Sequence, residues 1–312
     1  MTRIATWWQG LAPTQRRATR DGLIVAGLIF NATLLIFWLP RLYLWIDAEA
    51  WWHINLSNLY GPGIGTAGTG VFTEDIGAFR YSPAIAWLFL PATWVSWEVM
   101  IAAYLALSGA ALVAMLGRRA PIFVLAFPPV LLELLNGNIH LFIALAVWVG
   151  LRWAPAWAFI LLTKVTPGVG MFWYVGRREW RNVAIALGVT AAIVIVGIVI
   201  APGLWLDWFR LLTGAASGPT LPGTPPVWLR LPFAAALAWY AGRTGRAWLV
   251  PVSVMLGLPN LWLQGLAILT ASFPLYWERE RWRVGGRVTT IDQAPRNERA
   301  AAKPAGAEVT PA

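Results

Sequence analysis

An all-α bundle crossing a membrane about ten times is the fold class this sequence predicts, on the basis of three observations. The chain is 58% hydrophobic and 12% charged, against about 45–50% and about 25% for soluble domains. Its mean hydropathy is +0.61, and its apolar residues gather in runs approaching the roughly 17–25 residues that a helical crossing needs. No run shows the alternation over about ten residues that marks a membrane β-barrel strand. Helices are then the elements that satisfy their own backbone in lipid.

Residues 1–21 are expected to form a cytoplasmic N-terminus. Residues 22–40 read as a retained first helix, because a polar, Arg-containing segment precedes them and no small-residue cleavage site follows. A long polar loop spans 41–80. Residues 81–97 and 100–116 read as a hairpin of helices meeting near Glu98. Two short apolar pieces, 121–135 and 139–151, are separated by Asn136, Gly137 and Asn138. Residues 153–175 form the next span, closed by Arg177, Arg178 and Arg181. Residues 183–201 are uniformly apolar and rich in β-branched side chains. A Gly/Pro/Thr-rich loop over 202–226 leads to a span over 227–241, followed by a basic turn at Arg243 and Arg246. Residues 247–276 are too long for one straight helix, and Leu258-Pro259-Asn260 divides them in two. The membrane domain is thus 22–276, and 277–312 is expected to be a basic cytoplasmic tail too polar to offset its ordering entropy.

The formal charge of +10 points to lipid rather than nucleic acid, because the basic residues cluster beside apolar runs. The positive-inside rule puts both termini in the cytoplasm and the loops 41–80 and 202–226 on the far side. Arg118, Arg119 and Arg152 fall outside in this count, unless 121–151 is partly re-entrant. The 22 Trp suit the headgroup level. The absence of Cys excludes disulfides and thiolate chemistry, and two His leave little for a metal site. No phosphate-binding loop, dinucleotide fingerprint or zinc-protease motif occurs, so no metal and no cofactor is expected.

Four polar clusters stand out. Asp47, Glu49, Trp51, Trp52 and His53 lie just beyond the first helix, where an acid among aromatic rings has its charged form disfavoured and approaches the pKa of a useful base. The plain alternative is a solvated acid at a helix end. Arg80 and Tyr81 stand where the loop re-enters the membrane; Arg80 suits bidentate phosphate binding or simple snorkelling. Asn138 and His140 follow a turn between apolar runs, and lie in water or line an internal cavity. Lys164 sits near the middle of its apolar run, at a cost of about 2.5–3.5 kcal/mol unless it snorkels, pairs or meets a polar cavity.

Taken in order, several of these residues resemble glycosyltransferase family 87, whose members use polyprenol-phosphate sugars and share the GT-C fold. The resemblance rests on Asp47 soon after the first helix, Leu59-Tyr60-Gly61, and Phe79-x-Tyr81-x-Pro83 with Pro91. It continues through Gly137-Asn138, where the family usually has Gly-Gln, Lys164-Val-Thr-Pro167, the basic Arg177, Arg178 and Arg181, and Leu258-Pro-Asn-Leu-Trp262. It covers roughly residues 22–276. It implies a GT-C-like bundle in the plasma membrane that moves a sugar, mannose foremost, from a polyprenyl-phosphate donor to a lipid or glycan acceptor with inversion. Asp47 would be the general base, with Glu49, Trp51, Trp52, His53, Arg80, Tyr81, Asn138, His140 and Lys164 around the substrates. A transporter or flippase of lipid or solute, with Asp47, His140 and Lys164 on an ion path, is the rival reading; a non-catalytic assembly subunit is the third. Against transport, the acids lie at the surface and no internal repeat is present.

Overall fold

The computed structural model describes residues 10, 12–38, 44–60, 79–214 and 222–282, and among them every regular element is helical. The centre of the first loop and the tail from 283 onward lie outside the described residues. Among the described residues, three stretches are long and apolar enough to cross a membrane: Pro13–Phe37, Trp97–Ala126 and Trp180–Ile200. A fourth is added if the bent pair Pro128–Asn136 and His140–Gly150 counts as one span. The described residues are therefore those of a helical membrane protein.

The first helix, α1 (Pro13–Thr33), begins earlier than its apolar run, with proline in its first turn, where the missing N–H costs nothing. Beyond the loop come the short helices α2 (Ile46–Trp52) and α3 (Pro83–Phe89). The long α4 (Trp97–Leu116) follows, and Gly117 separates it from α5 (Ala120–Ala126). The expected spans after that are broken into shorter pieces: α6 (Pro128–Asn136), α7 (His140–Gly150) and α8 (Trp157–Thr163). Proline opens α6, and the axis turns by 117° between α6 and α7.

Two small residues let α9 (Phe172–Arg177) and α12 (Val227–Thr244) touch backbone to backbone. A Cβ on Gly176 would lie 2.3 Å from the Trp239 carbonyl oxygen, and one on Gly242 would lie 2.2 Å from that of Trp173. This is the small-residue contact that helices in lipid favour. Between them in sequence, α10 (Trp180–Ile200) is the least covered of the three candidate spans, with Val199 78% exposed.

The interval 202–226 is not a simple loop. Its first half is a helix, α11 (Pro202–Gly214), which buries Trp205 and Trp208 and leaves Leu206 and Phe209 exposed. Pro202 and Gly203 open this helix, and the other Gly and Pro residues of the interval follow its aromatic stretch. The break expected near Pro259 does occur, between α13 (Val250–Leu256) and the 3₁₀ segment Leu263–Ala271 that precedes α14 (Ser272–Trp277). Arg230, inside α12 and buried, donates to the carbonyls of Leu256, Leu258 and Pro259 that the break releases.

The basic residues that fell outside the expected topology find their place here. The Arg119 guanidinium lies 4.2 Å from the centre of the Trp277 ring, and Arg152 pairs with Glu278. The two ends of the α5–α7 segment thus return to the same face, beside the C-terminal end of α14. Arg119 and Arg152 accordingly lie beside the start of the C-terminal basic run, because the sharp bend turns the chain back. The bend itself lies away from that face and reaches toward the first loop.

Candidate active site

The first loop folds onto the bundle through α2, whose opening turn carries Asp47 and Glu49. Trp45, immediately before it, has φ 56°, a left-handed conformation that costs a residue with a Cβ about 1–2 kcal/mol. Two hydrogen bonds hold it. Its backbone N–H donates to the Leu135 carbonyl at 2.7 Å, and its indole N–H donates to the Leu134 carbonyl at 2.9 Å. Both acceptors belong to the last turn of α6, where a helix leaves its carbonyls without internal partners. The end of α6 thereby fixes the start of α2.

At the bend, Gly137 has φ 68° and faces α2 closely. A Cβ there would come 2.8 Å from the Ala48 methyl and 3.1 Å from the Trp45 Cα. Glycine meets both demands. The turn delivers Asn138 to α2, where its side-chain amide donates to the Asp47 carboxylate and its own Oδ1 accepts from the Ile139 N–H at 2.7 Å. The Tyr104 hydroxyl bridges the carbonyls of Glu133 and Asn138, at 2.9 and 3.1 Å.

Behind Asn138 lies a carboxylate the sequence reading did not single out. Glu133 is wholly buried in α6. It accepts from the His140 backbone N–H at 2.5 Å, and its other oxygen lies 2.9 Å from His140 Nδ1. Across the imidazole, Nε2 lies 3.0 Å from Lys164 Nζ. The available signal was a lone acid in the apolar run 121–135, which in lipid is itself a functional hypothesis.

Lys164 is not in the middle of a helix. Thr163 ends α8, Lys164 is extended, and a 3₁₀ segment, Thr166–Met171, opens with Pro167 near its start. The break turns the ammonium toward α7. Its charge reaches Asp47: burial holds the Asp47 carboxyl above its ordinary value of 3.8, while Lys164, then His140, pull it down.

Asp47, Asn138, His140 and Lys164 therefore come together, although 91 residues separate the first two. The other expected members are placed differently. Glu49 lies two positions from Asp47 on the same helix, so the two do not share a face. His53 is exposed, with its ring 4.6 Å from that of Trp52. Arg80 is exposed at the end of the loop. Trp51 is buried and stacks on Phe89 at 4.6 Å, and Trp52 donates to the Val95 carbonyl at 2.9 Å. Buried Tyr81 meets Phe79 edge-on at 5.4 Å, and its phenol lies within electrostatic reach of Asp47 and Glu133. These aromatics seat α2 against the bundle.

The family model for glycosyltransferase family 87 matches residues 79–291. No curated protein and no solved structure matches the chain. The match takes in Arg80, Glu133, Asn138, His140 and Lys164, and it begins after Asp47, which reaches the cluster only through the fold.

Proposed function

Because this chain belongs to glycosyltransferase family 87, we propose that it transfers a sugar, mannose foremost, from a polyprenyl-phosphate donor to a lipid or glycan acceptor. Transfer takes place at the extracytoplasmic surface of the plasma membrane, in a GT-C bundle of about ten crossings with both termini in the cytoplasm. No metal and no cofactor takes part in this reading, since an activated phosphate ester already leaves well.

Asp47 is the general base. It accepts the proton of the acceptor hydroxyl as that oxygen bonds to the anomeric carbon from the face opposite the phosphate. The bond from that carbon to the phosphate oxygen breaks, and the electron pair leaves with the polyprenyl phosphate. The sugar is inverted. Lys164 and Arg80 offset the negative charge that grows on the departing oxygen, an interaction stronger in the transition state than in the bound donor. Asn138 holds one carboxylate oxygen of Asp47 and leaves the other for the acceptor.

The observation that carries the proposal is the meeting of Asp47 with Asn138, beside His140 and Lys164. A carboxylate and an ammonium, both drawn from water at a membrane surface, supply the base and the phosphate-binding cation that this transfer requires. The test is transfer of labelled mannose from polyprenyl phosphate by the purified protein in detergent. Activity lost in Asp47→Ala is the expected result; wild-type transfer by that variant overturns the assignment.

A further inference from the structure

We propose that Glu133 is a positioning residue for this transfer: it fixes the His140 imidazole so that Nε2 holds the Lys164 ammonium beside Asp47. The inference rests on the glycosyltransfer reading and extends it to a residue that makes no contact with the reacting atoms.

A charged lysine has three N–H donors and no lone pair. Its 3.0 Å contact with His140 Nε2 therefore needs that nitrogen unprotonated, as an acceptor. The ring proton then sits on Nδ1 and is donated to Glu133 at 2.9 Å. Both contacts are satisfied by the same tautomer. The partner of one ring nitrogen thus decides what the other can do.

The charge of Glu133 is also accounted for. Its second oxygen accepts from the backbone N–H groups of His140 and Leu141, at 2.5 and 3.4 Å. These open α7, an eleven-residue helix whose positive end favours a carboxylate. With Glu133 engaged there and by the imidazole, the Lys164 charge acts first on Asp47 and only second on Glu133, and it is placed to meet the donor phosphate.

A purely structural role is the competing account, in which Glu133 caps α7 and holds the bend. Glu133→Gln separates the two. The glutamine carbonyl oxygen keeps the cap, but its amide N–H faces Nδ1. That ring nitrogen must become the acceptor, and the proton moves to Nε2, where it opposes the Lys164 donors. The expected result is a fall in kcat of about 10–100-fold, the scale on which orienting partners act, with the thermal midpoint in detergent near wild type. In a His140→Asn background the same change costs nothing further. The tautomer can be read directly, since the chain has two His: nitrogen-15 histidine spectra, assigned with His53→Gln, should show Nδ1–H in the wild type and Nε2–H in Glu133→Gln.

Wild-type kcat in Glu133→Gln, an equal loss in the His140→Asn background, or an unchanged tautomer each overturns the proposal. An inverted tautomer in a protein whose wild type transfers no sugar supports the positioning geometry and counts against the glycosyltransfer reading alone.

Discussion

The Asn138 side-chain amide donates a hydrogen bond to the Asp47 carboxylate, joining a helix of the first loop to the bend between α6 and α7. The bond links the segment that follows the first candidate span to a turn between two apolar runs. It orients Asp47 by holding one of its carboxylate oxygens.

Asp47→Asn should lower turnover by about 10²–10⁴, the usual worth of a positioned acid–base group, without loss of fold. The new amide oxygen can still accept from Asn138, so the contact between α2 and the bend survives. Glu49→Gln should cost less, because Glu49 lies on another face of α2. Initial rates of sugar transfer by the two purified variants decide the order, and a larger loss in Glu49→Gln would reverse the assignment.

The pH profile of kcat should carry an acid limb from Asp47. A general base works when deprotonated, so activity is lost as pH falls through its pKa. Burial holds that pKa above the ordinary 3.8, which places the limb at higher pH than a solvated aspartate would. Lys164 is the strongest group pulling it down. Lys164→Met should therefore move the limb to still higher pH, besides lowering kcat at the plateau. A limb that stays put or moves to lower pH would mean that Lys164 does not act on Asp47.

Gly137→Ala should destabilise the protein and impair it. The left-handed backbone alone costs about 1–2 kcal/mol with a Cβ, and the methyl would approach the Ala48 side chain at 2.8 Å. Relief of that contact pushes α2 from the bend and pulls Asp47 from Asn138. A lower thermal midpoint together with reduced transfer is expected. A midpoint matching wild type would show that α2 does not dock there.

Topology can be mapped by single-cysteine labelling, since the native chain has none. Gly65, at the centre of the first loop, lies outside the described residues, so exposed Asn58 is the better probe of that side and exposed Arg178 of the other. A membrane-impermeant maleimide applied to intact cells should label Asn58→Cys and spare Arg178→Cys. The reverse pattern would invert the proposed orientation.

The helical class, the membrane setting and most breaks between helices were legible in the sequence. They follow from the lengths of the apolar runs and from Pro, Gly and Asn at their ends, as at Asn136–Asn138 and Pro259. These are local properties, fixed by solvation and backbone geometry within a dozen residues. The helix over Pro202–Gly214 was missed because Gly and Pro on both sides of it outweighed its short aromatic stretch.

The site is a different matter. Asp47, Asn138, His140 and Lys164 could each be singled out as polar residues in costly places, but nothing in their spacing says that they meet. Glu133 shows the limit most clearly. In the sequence it is a single acid among leucines; in the fold it binds the start of α7 and the imidazole of His140. The α6–α7 bend, the broken helix at Lys164 and the left-handed Trp45 decide that convergence together. Each sets a direction in space, and only the packed bundle makes those directions meet, because burying these charges is tolerable only where they pair.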